Sequence, residues 1–337
     1  MTYRVLISAP YMIPELARLQ PVFERAGVEV IAAEVRERLE EKQLLAYAGQ
    51  IDGAICGDDR FTARILETAA PRLRVISKWG TGIDSIDLQA AERTGVQVFN
   101  TPDAFTEPVA DSVMGYVLAF ARRLFDSDRD MQAGRWTKVP GRALKECTLG
   151  VVGVGRIGKA VLTRASAFGM RLLGNDIIEV DPAFRAALDV QLMSLPDILQ
   201  ASDFVSLNCD LNPSSRHLIN EKTLARMRSG AVLINTARGA VVDEGALASA
   251  LKSGKLAGAA LDVFEDEPLP ANSPLRGIDN VLLAPHNSNA SPAAWEWVHW
   301  NTIRNLFEGL GLPRPESSPE VQAALGATKP LGTAWDS

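Results

Sequence analysis

The chain is short of cysteine, of basic charge and of long apolar runs, and each shortage removes a class of protein. Its three cysteines, Cys56, Cys147 and Cys209, lie far apart in the sequence. They have no zinc-type spacing and are too few for a disulfide framework, so a reducing compartment is expected and no metal. Lysine and arginine total 35 against 41 aspartates and glutamates, a net charge of -6. Neither half of the chain is strongly basic, which argues against a nucleic-acid partner. No uncharged apolar run approaches the ~20 residues needed to span a bilayer. The opening stretch M-T-Y-R-V-L-I-S-A-P is cut too soon by Pro10 and Pro14 to be a secretory segment and reads as a first strand. A cytoplasmic protein without a membrane partner is the expectation.

What remains is an ordinary soluble composition, 47% hydrophobic and 23% charged over 337 residues, long enough for two domains. In the first hundred residues, β-branched runs at 5–7, 28–31, 51–55, 73–76 and 96–99 alternate with segments of helical periodicity at 14–26, 62–69 and 88–94. That alternation predicts parallel strands joined by crossover helices. A boundary falls near Thr101-Pro102. The next segment starts a helix near Thr106, with Val109, Val113, Val117, Phe120 and Leu124 along one face; it reads as a core helix, with a subunit contact as the alternative.

The centre of the chain is the stretch 148–176. A short apolar run leads into Gly153, Gly155 and Gly158 in G-x-G-x-x-G spacing, and Asp176 follows at the tip of the next apolar run. The order strand, glycine loop, helix, strand, acid is that of a dinucleotide-binding unit. Gly153 allows a sharp turn, Gly155 leaves room for a pyrophosphate, and Gly158 lets the helix sit close to the sheet. Phosphates would rest on the free N–H groups of that helix. Asp176 would bind the ribose hydroxyls and repel a 2′-phosphate, and no basic residue follows immediately, so NAD is favoured over NADP.

Further strands are expected at 171–177, 204–209, 231–236, 256–264 and 281–285, giving six parallel strands in the second lobe. Their carboxyl ends carry Arg238, Asp262 with Glu267 on the loop beyond, and His286. A cation, carboxylates and an imidazole are thus expected on the edge where ligands of open parallel sheets bind. The segment 292–310 carries Trp295, Trp297 and Trp300, which cannot all share one helix face; it should return to the first lobe. The segment 311–337, rich in Pro, Ala, Gly and Ser, is read as a tail or surface arm.

The residues 150–158, N-T-A-R-G-A-V-V-D-E at 235–244, L-D-V-F-E-D-E-P at 261–268 and A-P-H at 284–286 resemble the signatures of the NAD-dependent D-isomer-specific 2-hydroxyacid dehydrogenases. The segment K-W-G-T-G-I-D-S-I-D at 78–87 is similar to the family's substrate loop, and the resemblance spans roughly 1–310. It implies an α/β fold of two Rossmann-like lobes: a flavodoxin-like substrate lobe (1–100) and a doubly wound NAD-binding domain (101–288), with a C-terminal helix (289–310) returning to the substrate lobe. It implies an oxidoreductase moving a hydride between NADH and C2 of a small 2-oxo acid, with residue roles as follows. Arg238 would hold the substrate carboxylate, His286 would be the general acid/base, and Glu267 would orient it. Lys78, Trp79, Gly80, Thr81 and Gly82 would bind substrate. Gly153, Gly155, Arg156, Ile157, Gly158, Asp176, Cys209, Thr236, Ala237, Arg238, Asp262 and His286 would line the cofactor site. Closure of the lobes would exclude water, and the protein would be a homodimer. The alternative is an NAD(H)-sensing corepressor on the same fold. Departures from the family pattern are Asp210 and Asn212 where Pro and Thr are common, Lys78 and Trp79 beside the substrate loop, and Asn287-Ser288 after His286; they weaken a phosphoglycerate assignment.

Overall fold

The computed structural model describes residues 2–315. The segment read above as a tail lies, from residue 316 on, outside the described residues. The chain forms two compact units, one running to Phe105 and resuming at Ser291, the other spanning Thr106–Ala290.

The first unit carries β1 (Tyr3–Ile7), β2 (Val28–Ala32), β3 (Gly53–Cys56), β4 (Val75–Lys78) and β5 (Gln97–Phe99). They form one parallel sheet in the order β2-β1-β3-β4-β5, the flavodoxin-like order. Strands buried on both faces read as continuous apolar runs, and the residues of β3 and β4 are all buried. Leu6, Ala54, Cys56 and Ile76 share one core with Ile65, Leu66, Ala90 and Ala91 of the helices Ala63–Ala69 and Leu88–Thr94. The helix Pro292–Leu310 returns to this unit and packs on β3, β4 and β5. Two glycines let it come close: a Cβ on Gly53 would lie 2.8 Å from Leu306 Cδ1, and one on Gly309 would collide with Val75.

The second unit holds β6 (Thr148–Val152), β7 (Arg171–Asn175), β8 (Gln191–Leu192), β9 (Phe204–Leu207), β10 (Val232–Asn235), β11 (Gly258–Leu261) and β12 (Val281–Leu283). All pair in parallel, in the order β12-β11-β10-β9-β6-β7-β8. The sheet has seven strands where six were expected. The extra strand, β8, is two exposed residues long and carries no periodic signal. One face is covered by Thr106–Ala121, Arg156–Ala167 and Pro182–Leu188, the other by Leu195–Ala201, Glu221–Arg226 and Glu244–Lys252. The order reverses between β6 and β9, which places a ligand crevice at their carboxyl ends.

The helix starting at Thr106 ends sooner than its apolar pattern suggests. Val109, Val113 and Val117 are buried, but the helix stops at Ala121, and Arg123 takes a left-handed φ of 52°. Leu124 therefore opens a new helix, Leu124–Gln132, and is 52% exposed rather than continuing the core face.

Candidate active site

The glycine loop leaves β6 with Gly153 at φ 89°, where an added Cβ would lie 2.6 Å from the Cys209 amide nitrogen. Gly155 caps the helix Arg156–Ala167 without a side-chain hydrogen bond to its first turn, so that turn's N–H groups face outward from an open helix end. A Cβ on Gly155 would meet nothing within 4 Å, whereas one on Gly158 would collide with the Gly153 carbonyl oxygen. Gly155 thus marks open space beside the helix end, and Gly158 marks a close contact inside the protein. Asp176 follows β7; its Oδ2 accepts from the Val154 amide at 2.6 Å and its Oδ1 from the Ile178 amide at 2.9 Å. These bonds hold a carboxylate beside the glycine loop.

Two polar atoms at neighbouring strand ends are buried without a partner among the described residues: Oδ1 of Asn208, after β9, and Oγ1 of Thr236, after β10. Buried polar atoms normally find partners. Together with the open helix end and the space at Gly155, they fit a bound dinucleotide. Cys209, next to Asn208 in the chain, is half-buried, and burial pushes its thiol pKa up to about 11. Nearby, Asn212 closes a turn instead of facing a ligand: its Oδ1 accepts from the Ser214 amide and hydroxyl at 2.8 and 2.6 Å.

Arg238 stands just past β10 in a turn fastened by Asn235. The Asn235 Nδ2 donates to the Arg238 carbonyl at 2.9 Å and its Oδ1 accepts from the Ala237 amide at 3.1 Å. Arg238 itself donates from Nη1 to the Ala237 carbonyl at 2.9 Å. Gly239 is required by a neighbour, since a Cβ there would collide with the Phe264 carbonyl. That contact ties the Arg238 turn to the loop that carries Glu267.

His286 follows β12 with a left-handed φ of 51°. Its Nδ1 lies 2.9 Å from Glu267 Oε2, while Glu267 Oε1 accepts from the Phe264 amide at 2.9 Å. The turn is held from beneath by Asp262, which is 1% exposed. The Asp262 carbonyl accepts the His286 amide at 2.7 Å, and its carboxylate oxygens accept the amides of Asn287 and Ser288 at 2.7 and 2.9 Å. The Asp262 carboxylate thus spans the turn after His286. The other histidine of this unit, His217, contacts Glu265 at 3.2 Å.

In the first unit the segment 78–82 follows β4. Lys78 is buried and paired with Asp58 at 2.6 Å, so its charge is already balanced. Trp79 is buried, and the Gly80 amide donates to Thr101 Oγ1 at 3.2 Å. The amides of Thr81 and Gly82 donate to no acceptor among the described residues. Asn208, Asn235 and His299 were given no role by sequence: Asn235 opens the motif 235–244 without being singled out in it, and Asn208 and His299 lie in none of the quoted motifs.

A doubly wound sheet with a glycine loop, an open helix end and a carboxylate–imidazole pair on the same carboxyl edge defines a nicotinamide-dependent dehydrogenase. Residues 114–288 match the family described as D-isomer specific 2-hydroxyacid dehydrogenase, NAD binding domain. Over 239 residues the chain is 44% identical to a glyoxylate reductase of Korarchaeum cryptofilum, covering 69% of this chain and 71% of that one. It is 36% identical over 317 residues to a hydroxypyruvate reductase of Thermotoga maritima, covering 92% and 99%. A D-lactate dehydrogenase from Aquifex aeolicus, solved with NAD and lactic acid, superimposes with a TM-score of 0.81 at 26% identity, over 93% of this chain and 100% of that one. The chain belongs to the D-isomer-specific 2-hydroxyacid dehydrogenases, an NAD-dependent family of oxidoreductases, and NAD is its cofactor.

Proposed function

We propose that the chain reduces a small, unphosphorylated 2-oxo acid to the D-2-hydroxy acid, with His286 as the proton donor. The observation that carries this reading is the pair of His286 Nδ1 and Glu267 Oε2 at 2.9 Å. A carboxylate at Nδ1 fixes the ring and stabilises the imidazolium, so Nε2 is the nitrogen that delivers a proton to the carbonyl oxygen. Bound NADH supplies the hydride to C2. The Arg238 guanidinium holds the substrate carboxylate, as a forked donor can, and the Thr81 and Gly82 amides offer donors to the same class of anion. Lys78, Trp79 and Gly80 support that loop from within the unit. The loop of Gly153, Gly155, Arg156, Ile157 and Gly158 would hold the pyrophosphate at the open helix end, with Gly158 shaping the loop from inside; Asp176 would take the ribose, and Cys209, Thr236, Ala237 and Asp262 would line the rest of the cofactor site.

The names of the glyoxylate and hydroxypyruvate reductases among the relatives support the substrate size, as does Lys78, whose charge is balanced by Asp58 rather than left for a phosphate. The experiment is NADH oxidation with glyoxylate, hydroxypyruvate, pyruvate, phenylpyruvate, 2-oxoglutarate and 3-phosphohydroxypyruvate. Turnover of glyoxylate or hydroxypyruvate is expected to exceed that of the phosphorylated acid. His286→Ala is expected to lower kcat by about 10²–10⁴-fold while NADH affinity changes little; unchanged turnover would remove its role.

We also infer a homodimer in the cytoplasm. The helix Leu124–Gln132 has no buried residue, and Leu124, Phe125, Met131 and Trp136 are 52, 53, 54 and 86% exposed. An apolar surface of this kind favours association with a second copy. The three cysteines are free, in keeping with a reducing compartment.

A further inference from the structure

His299 is a buried histidine that neither the cofactor site nor the proton-donor pair uses. It sits on the helix Pro292–Leu310 and is 3% exposed. Its Nδ1 accepts the indole N–H of Trp79 at 3.0 Å, across 220 positions of sequence. Trp79 is 5% exposed and immediately precedes the loop whose Thr81 and Gly82 amides lack acceptors among the described residues. Around its ring lie Tyr11, Phe105, Trp295 and the imidazole itself, with centroids at 5.5, 5.7, 6.1 and 5.7 Å.

The loop is fastened at both ends. On the near side the Trp79 amide donates to the Cys56 carbonyl at 2.8 Å, and the indole is held by His299. On the far side Gly80 and Thr101 exchange hydrogen bonds, Thr81 Oγ1 donates to the Thr101 carbonyl at 3.1 Å, and Asn100 Nδ2 donates to the Thr81 carbonyl at 2.7 Å. Gly80 takes a φ of 129°, a conformation that a side chain would strain. A buried indole N–H needs an acceptor. Tyr11, Phe105 and Trp295 surround the Trp79 ring, and among the described residues His299 alone holds its indole by a directional bond.

We propose that His299 is a positioning residue for substrate binding: through Trp79 it sets the direction of the Thr81 and Gly82 amides toward the substrate anion. The role rests on the 2-oxo acid reductase reading above. A neutral imidazole protonated at Nε2 is the form that accepts at Nδ1, and burial keeps this histidine neutral.

The test compares His299→Phe, which keeps the ring and removes the acceptor, with His299→Asn, which keeps an acceptor near the Nδ1 position. KM and kcat are measured with glyoxylate and hydroxypyruvate, and NADH affinity by fluorescence titration. The Phe variant is expected to raise KM about tenfold or more, since small misplacements of a binding group are costly, with kcat and NADH affinity within about threefold; the Asn variant should recover most of the loss. Trp79→Phe removes the same bond from the donor side and serves where the His299→Phe protein does not accumulate folded. Unchanged KM in a folded variant lacking the bond, or an Asn variant as impaired as the Phe one, overturns the role. A wild-type protein that reduces no 2-oxo acid removes the reductase reading and this role with it, whereas unchanged KM in an active enzyme removes this role alone.

Discussion

At the scale of single residues, the three histidines show how a partner decides what an imidazole does. His286 faces Glu267, His217 faces Glu265, and His299 faces an indole N–H. Burial lowers the pKa of His299 from 6.5 to about 4, against the opposing pull of Glu296 and Glu15 and with help from Arg18. The folded value lies below the unfolded one, so this group's contribution to stability is fully present above pH 6.5. It is lost as pH falls from 6.5 toward 4, because the unfolded chain takes up a proton that the fold refuses, up to about 3 kcal/mol in the limit. Urea unfolding at pH 7.5 and pH 5 checks this: the wild type should lose about 1–2 kcal/mol more than His299→Phe between the two, and equal losses would contradict it. Asp176 carries a second residue-scale prediction. Its carboxylate is held by two backbone amides, so kcat/KM with NADH should exceed that with NADPH by about 100-fold or more, on the order of 3 kcal/mol of discrimination; equal values would remove the charge argument. His286 was legible in the sequence because it follows A-P at a strand end. His299 was not, because its partner lies on another element and only the fold brings Trp79 to it.

At the scale of elements, the glycine loop separates two reasons for glycine that a motif treats alike. A Cβ on Gly155 meets nothing, and one on Gly158 collides with the Gly153 carbonyl. Gly155→Ala should therefore leave thermal stability within about 1 kcal/mol and weaken NADH binding tenfold or more. Gly158→Ala should destabilise the unit itself by about 1–3 kcal/mol, the range for overpacking, measured by thermal unfolding without cofactor. Equal effects of the two on the free protein would contradict the assignment. The loop was legible because strand, glycines and acid lie in sequence order. The break after Ala121 was not: Val109 through Leu124 keeps helical spacing, and the left-handed turn at Arg123 interrupts it without a glycine or proline to announce it.

At the scale of the whole molecule, the exposed apolar residues of Leu124–Gln132 and Trp136 give the association prediction. The wild type should elute as a dimer in size-exclusion chromatography with light scattering, and Phe125→Glu should shift it toward the monomer; a wild-type monomer at micromolar concentration would overturn it. The sequence alone determined the two α/β sheets, because strand and helix periods are local and parallel strands buried on both faces read as apolar runs. It also singled out Arg238, Glu267 and His286 as candidates, since they stand in contiguous motifs at strand ends. Tertiary structure decided what holds two of the segments in place: Asp262 under the turn after His286, and His299 behind Trp79. Those partners are 25 and 220 positions away. A hydrogen bond between them exists only once the chain has closed the distance, and no local periodicity records it.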